Sequence, residues 1–125
     1  MVLPPGRPSA AHDHLPTDDL IACHRARAEG GAGVLFIEAT AVHESGLLTA
    51  HTLGGYLPGI VAGYQRLAGP VHAAGGRMFV QLFHGGREQI SSSPRPPAVA
   101  PSAVPTQRFH VEPRALTSSH GASAT

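Results

Sequence analysis

Apolar positions along the chain fall into two alternating patterns. The run Val34, Leu35, Phe36, Ile37 is continuous and preceded by Gly33. A second run, Met78, Phe79, Val80, Leu82 and Phe83, is interrupted once, by Gln81. Short continuous runs of this kind predict strands of a parallel sheet buried on both faces. Before each lies a stretch with helical spacing. Leu20, Ile21, His24 and Ala28 share a face within residues 18–29, and Ile60, Tyr64, Leu67 and Val71 form a stripe within residues 57–74. Thr17 suits an N-cap, and Asp18 and Asp19 suit the positive first turn of a helix. The pairs Gly30-Gly31 and Gly75-Gly76 supply the stops. Gly69-Pro70 weakens the second helix, because proline removes a helix hydrogen bond. Residues 1–3 are apolar and are stopped by Pro4-Pro5-Gly6, which predicts a third, short strand. The order strand, helix, strand, helix, strand predicts an α/β fold with a parallel sheet.

The strands change character where they end. Beyond Ile37 come Glu38, Ala39 and Thr40; beyond Phe83 come His84, Gly85, Gly86 and Arg87. Ligands of parallel α/β proteins bind at the carboxyl ends of strands. A buried amide such as Gln81 costs free energy unless its donors and acceptors find partners. Gln81 is therefore a candidate ligand contact, with a backbone-satisfied core amide as the alternative. His84 and Arg87 are candidates on the same exit, or members of a solvated turn. Residues 7–16 and 43–56 read as loops, and the prolines beyond Arg87 predict irregular chain over residues 91–125.

Composition narrows the possibilities. The chain has 125 residues, too few for a whole (β/α)8 barrel of about 250. With 42% hydrophobic residues and a formal net charge of +1, it is neither a disordered polyelectrolyte nor a basic nucleic-acid-binding domain. All nine basic residues are arginine. Cys23 is the single cysteine, so no internal disulfide forms. No membrane-length apolar run and no signal-like leader is visible, so a cytoplasmic protein without membrane or nucleic-acid partners is expected. His12-Asp13-His14 invites a metal reading, because a His-x-His pair near a first barrel strand can bind zinc in hydrolases. A metal-dependent barrel hydrolase using His12 and His14 is thus one alternative, although two ligands need a third. His24 and His72 read as surface or packing residues, Cys23 as a small buried thiol, and Glu38 as an ion-pair partner or an acid/base group.

Taken in order, the strings LPTDDLIA at 15–22, HRARAEGGAG at 24–33, IEATAV at 37–42, VHAAGGRMFVQLFHGGR at 71–87, APSAVP at 100–105 and EPRALT at 112–117 resemble the Old Yellow Enzyme family. These are FMN-dependent NAD(P)H oxidoreductases built on a (β/α)8 (TIM) barrel, and the likeness is strongest to the dienoyl-CoA reductase-like and trimethylamine dehydrogenase-like branch. The resemblance implies the N-terminal portion of such a barrel over residues 1–117, an incomplete barrel of about three β/α units plus a long loop. Residues 118–125 form a divergent tail, expected to be disordered. It implies FMN as cofactor and NAD(P)H as reductant, with an activated alkene or dienoyl-CoA-like acceptor. By position it implies that Gln81 bonds the pyrimidine edge of the flavin, that the small Ala39 lets the ring lie against the second strand, and that Pro4 and Gly6 back it from the first. Many members carry Cys or Thr where Gly6 stands, which tunes the flavin potential. The family's substrate-binding histidine pair, phosphate-binding arginines and tyrosine proton donor have no counterpart here. The chain is therefore expected to be inactive alone, and a truncated remnant without function is a further alternative.

Overall fold

The computed structural model describes residues 2–3, 11–89, 97–107 and 112–117, with the backbone alone for Val2, Leu3 and Ala11. In chain order the elements are β1 (Val2–Leu3), β2 (Ala11–His12), β3 (Leu15–Pro16), α1 (Asp18–Glu29), β4 (Val34–Ala41), β5 (Leu53–Gly54), α2 (Ile60–Ala73), β6 (Arg77–Phe83), β7 (Val99–Ala100) and β8 (Arg114–Ala115). Two 3₁₀ turns, Glu44–Gly46 and Gly86–Glu88, follow β4 and β6.

The sheet is parallel and β4 is its centre. β6 pairs with β4 along its whole length, from Val34↔Arg77 to Ala41↔Phe83. The other edge of β4 is shared between β1, through Leu3↔Leu35, and β5, through Thr40↔Leu53. The short β1 and the long β4 and β6 thus lie in the order β1, β4, β6, each parallel to the next, as in one wall of a β/α barrel. Among the described residues no strand pairs with the outer edge of β6.

Both helices form where their apolar stripes and caps place them. The Thr17 side chain accepts the Leu20 amide at 3.2 Å and opens α1. Each helix closes in the same Schellman turn, with Gly31 at φ 91° and Gly75 at φ 80°. Ala32 N–H reaches Arg27 O at 3.1 Å, and Gly76 N–H reaches Val71 O at 2.9 Å. Pro70 does not break α2, because Leu67 and Val71, both fully buried, hold the helix to the sheet on either side of it. Leu20, Ile37, Leu53 and Leu67 make one core cluster, and Ala28, Ala32, Leu35 and Val71 another, with Met78 packed against both. An exposed Arg66–Asp18 ion pair links α2 to the start of α1.

Several expectations from the sequence need correction. The helices cover one face of β4, and they cover β6, at the sheet edge, only in part on that face. Side chains alternate across the sheet, so Leu35, Ile37 and Met78 meet the helices while Phe36 and Phe79 stack on the opposite face, ring centroids 5.5 Å apart. Phe79 is 51% exposed on that open face, and Val80 and Leu82, which by alternation share the Met78 face, are exposed as well, Leu82 to 65%, so the helices cover β6 only in part. Residues 11–16 are not simple loop. Asp13 and His14, at φ 50° and 62°, turn β2 back on β3 as an antiparallel hairpin. The region after Arg87 contains a parallel bridge, β7 with β8, made by Arg114 N–H to Ala98 O and Leu116 N–H to Ala100 O, both 2.8 Å. Residues 118–125 lie outside the described residues. Among the described residues no helix is long and apolar enough to cross a membrane.

The one-sided core makes a matched pair of substitutions informative. Leu67→Ala empties a fully buried position and should lower unfolding stability by about 2–5 kcal/mol. Val61→Ala, on the exposed side of the same helix, should change it by less than about 0.5 kcal/mol. Urea unfolding followed by circular dichroism distinguishes them; equal effects would mean that α2 does not pack on this face.

Candidate functional site

The carboxyl ends of β4 and β6 converge on one edge of the sheet. Between Ile37 and Ala39 the register shifts by a β-bulge, so Glu38 is the extra residue and Ala39 stands opposite Gln81. The bulge is held from the helix side. Tyr64 Oη donates to Thr40 Oγ1 at 2.9 Å, and Thr40 Oγ1 donates to the Glu38 carbonyl at 3.2 Å. Burial raises the Tyr64 phenol above its ordinary pKa, and the Thr40 bond opposes this. Thr40 is fully buried and Tyr64 half-buried, so the bond ties α2 to the bulge from behind the sheet.

Gln81 lies on the other face, with Phe36 and Phe79, and is exposed. Its amide makes no hydrogen bond among the described residues. The sequence pattern marked it as a buried amide; the open face of β6 leaves it in solvent instead, with both a donor and an acceptor to offer a ligand. Ala39 is half-buried beside it. Pro4 and Gly6 lie outside the described residues; the last described pair of β1 is Leu3↔Leu35.

The rim above these positions carries a feature the sequence did not announce. Ser45 N–H donates to His43 Nδ1 at 3.2 Å, so that nitrogen is unprotonated and the Ser45 hydroxyl, 2.8 Å away, donates to it as well. Gly86 N–H donates to His84 Nδ1 at 3.0 Å, which places the proton of the neutral ring on Nε2, 3.0 Å from Ser45 Oγ. The chain therefore runs His84 Nε2–H to Ser45 Oγ–H to His43 Nδ1. Burial, and then the nearby His43, lower the pKa of His84. Backbone contact reinforces it, with Gly85 N–H on Gly46 O at 2.9 Å. The one sequence signal was a histidine at each of two strand exits, and nothing in the spacing said that they meet. Arg87 is exposed on the following turn.

The other candidates have structural partners. His14 Nδ1–H donates to the Thr52 carbonyl at 2.8 Å, and His12 pairs with Asp13 at 3.1 Å. Among the described residues no group of three His, Cys, Asp or Glu side chains is placed to hold a metal, so His12 and His14 lack a third ligand there. His24 is buried and donates through Nδ1 to the Leu20 carbonyl at 3.0 Å. Cys23 is a free, half-buried thiol on α1.

Comparison with known proteins gives a consistent result. The family model described as NADH:flavin oxidoreductase / NADH oxidase matches residues 1–120. An NADPH dehydrogenase of Listeria monocytogenes serotype 4a is 35% identical over 105 residues, which are 84% of this chain and 30% of that protein. An NADH oxidase of Thermoanaerobacter brockii is 34% identical over 122 residues, 94% of this chain and 18% of that protein. Among solved structures, an Old Yellow Enzyme homologue from Zymomonas mobilis superposes with a TM-score of 0.75 at 28% identity, over 96% of this chain and 36% of its own. Morphinone reductase in complex with tetrahydroNAD does so with a TM-score of 0.80 at 26% identity, over 98% of this chain and 38% of its own. The chain thus spans less than a third of the length of these curated relatives.

The rim geometry yields a direct test. A Cβ on Gly46 would lie 2.7 Å from His84 Cδ2 and 3.1 Å from its Cα. Gly46→Ala should push the imidazole off Ser45, costing about 1–2 kcal/mol in stability. The check is loss of the Ser45–His84 bond in a crystal structure or NMR spectrum of the variant, together with a lower denaturation midpoint.

Proposed function

The chain belongs to the NADH:flavin oxidoreductase / NADH oxidase family, and on that premise we propose that it supplies one wall of an FMN site in an NAD(P)H-dependent oxidoreductase. The observation that carries this reading is the Ala39↔Gln81 pair, set at the carboxyl end of a parallel sheet on a face open to solvent. Its residues suit a flat heteroaromatic ligand. Ala39 projects no bulk beyond Cβ, and the Gln81 amide can both donate and accept along an edge of alternating C=O and N–H groups. The stacked Phe36 and Phe79 continue the same face as an apolar floor. Pro4 and Gly6, which follow β1, are assigned to the same wall by their place in the family pattern.

When bound, FMN would accept hydride from NAD(P)H and pass it to an acceptor such as an activated alkene. The residues of this chain would bind and orient it. Gln81 fixes the pyrimidine edge, and Ala39 sets how closely the ring approaches β4. The Tyr64–Thr40–Glu38 bonds keep the bulge, and hence Ala39, in place from behind. Proton delivery and substrate binding are assigned to the remainder of the relatives' length.

Two measurements test the reading. The 125-residue chain mixed with FMN should emerge from gel filtration colourless, because the wall holds the ring but not the phosphate; a stoichiometric yellow complex would contradict this. Grafted in place of the matching region of the Listeria NADPH dehydrogenase, the chain should restore FMN binding. Gln81→Leu in that graft should weaken binding by about 1–3 kcal/mol, or shift the flavin potential correspondingly. Unchanged affinity and potential would remove Gln81 from the site.

A further inference from the structure

The two 3₁₀ turns that follow β4 and β6 are built alike. In each, an unprotonated imidazole nitrogen accepts a backbone amide of the turn: His43 Nδ1 takes Ser45 N–H at 3.2 Å, and His84 Nδ1 takes Gly86 N–H at 3.0 Å. The Ser45 hydroxyl joins the two rings, 2.8 Å from His43 and 3.0 Å from His84, and is nearly buried. We propose that His43, Ser45 and His84 form a proton-sensitive clasp, which locks the two strand exits together when His84 is neutral and releases the Gly86 amide when His84 is protonated.

The chemistry follows from the acceptor roles. A neutral imidazole has one acceptor nitrogen, and an imidazolium has none. Protonating His84 at Nδ1 sets an N–H against the Gly86 N–H. That event turns a hydrogen bond into a donor–donor contact. The flanking ionisable groups are Glu44 on the first turn, and Arg87 and Glu88 on the second. The Tyr56 ring lies 6.4 Å from that of His43. Strand β7, packed against the second turn, contributes only Val99 and Ala100. Besides burial, the charge that acts on His84 is that of His43. Because the folded state lowers the pKa of His84 from its ordinary 6.5, the open state binds the proton better. The stabilisation is therefore present above about pH 6.5 and lost as pH falls from there through the lower, folded-state value. Closed, the clasp fixes the rim over Ala39 and Gln81; open, it frees the second turn.

The test is hydrogen exchange and ¹H–¹⁵N NMR on the 125-residue chain between about pH 8 and about pH 5. After correction for the intrinsic pH dependence of exchange, protection of the Gly86 amide should fall about tenfold towards low pH, the effect of one lost hydrogen bond. In His84→Asn the side-chain oxygen can still accept the Gly86 amide but does not titrate. Protection of Gly86 should then become flat with pH. In His43→Asn the pH response of Gly86 should persist. Flat protection of Gly86 in the unaltered chain, or an undiminished pH response of Gly86 in His84→Asn, would overturn the clasp. No flavin enters these readouts, so they stand or fall separately from the FMN reading.

Discussion

The structure depends on the parallel ladder between β4 and β6. Its seven paired positions are what bring Ala39 opposite Gln81, and they carry both helices on one side. Parallel pairs are slightly weaker per residue than antiparallel ones and normally need cover on both faces. Here α1 and α2 cover one, through Leu20, Leu67 and Val71. The other presents Phe36, Phe79 and Gln81 to solvent. The face that lacks cover is thus the face that carries the candidate ligand contacts.

Much of this was legible in the residues. The stripes of α1 and α2, the Thr17 cap and the glycine stops are local signals, and each lies within a few residues of the feature it predicts. The parallel order followed from alternation, since a strand that returns through a helix must run the same way. What the pattern could not show is which apolar run is covered. Met78, Phe79 and Val80 are all apolar, yet only Met78 packs against the core clusters: Phe79 stands on the open face, and Val80 shares the Met78 face but is exposed at the sheet edge. The hairpin at Asp13 and His14 was missed because neither residue announces positive φ as glycine does. The pairing of residues 99–100 with 114–115 was missed because bridges this short leave no periodicity.

At the site, the family pattern pointed to Gln81 and Ala39, and the register places them side by side. The devices that stiffen the site were invisible. Tyr64 and Thr40 are separated by 24 residues and Ser45 and His84 by 39, and no spacing rule links positions on different elements. One device works from the helix side and the other from the rim, and Ala39 and Gln81 lie between them. The first acts from the covered side of the sheet, so the wall can be held firm without a group of its own on the open face.

The matching helix ends have a kinetic meaning. Because α1 and α2 close in the same turn, each strand leaves its helix with its direction and starting phase set over a few residues of chain. A one-residue slip between β4 and β6 would invert every side chain, but the search does not have to explore such slips by sliding. It becomes the docking of two preformed helix–strand units, for which the entropy of closing the intervening chain grows only logarithmically with length. The slow step in this fold then lies in bringing the two units together, and their alignment follows from how each helix ended.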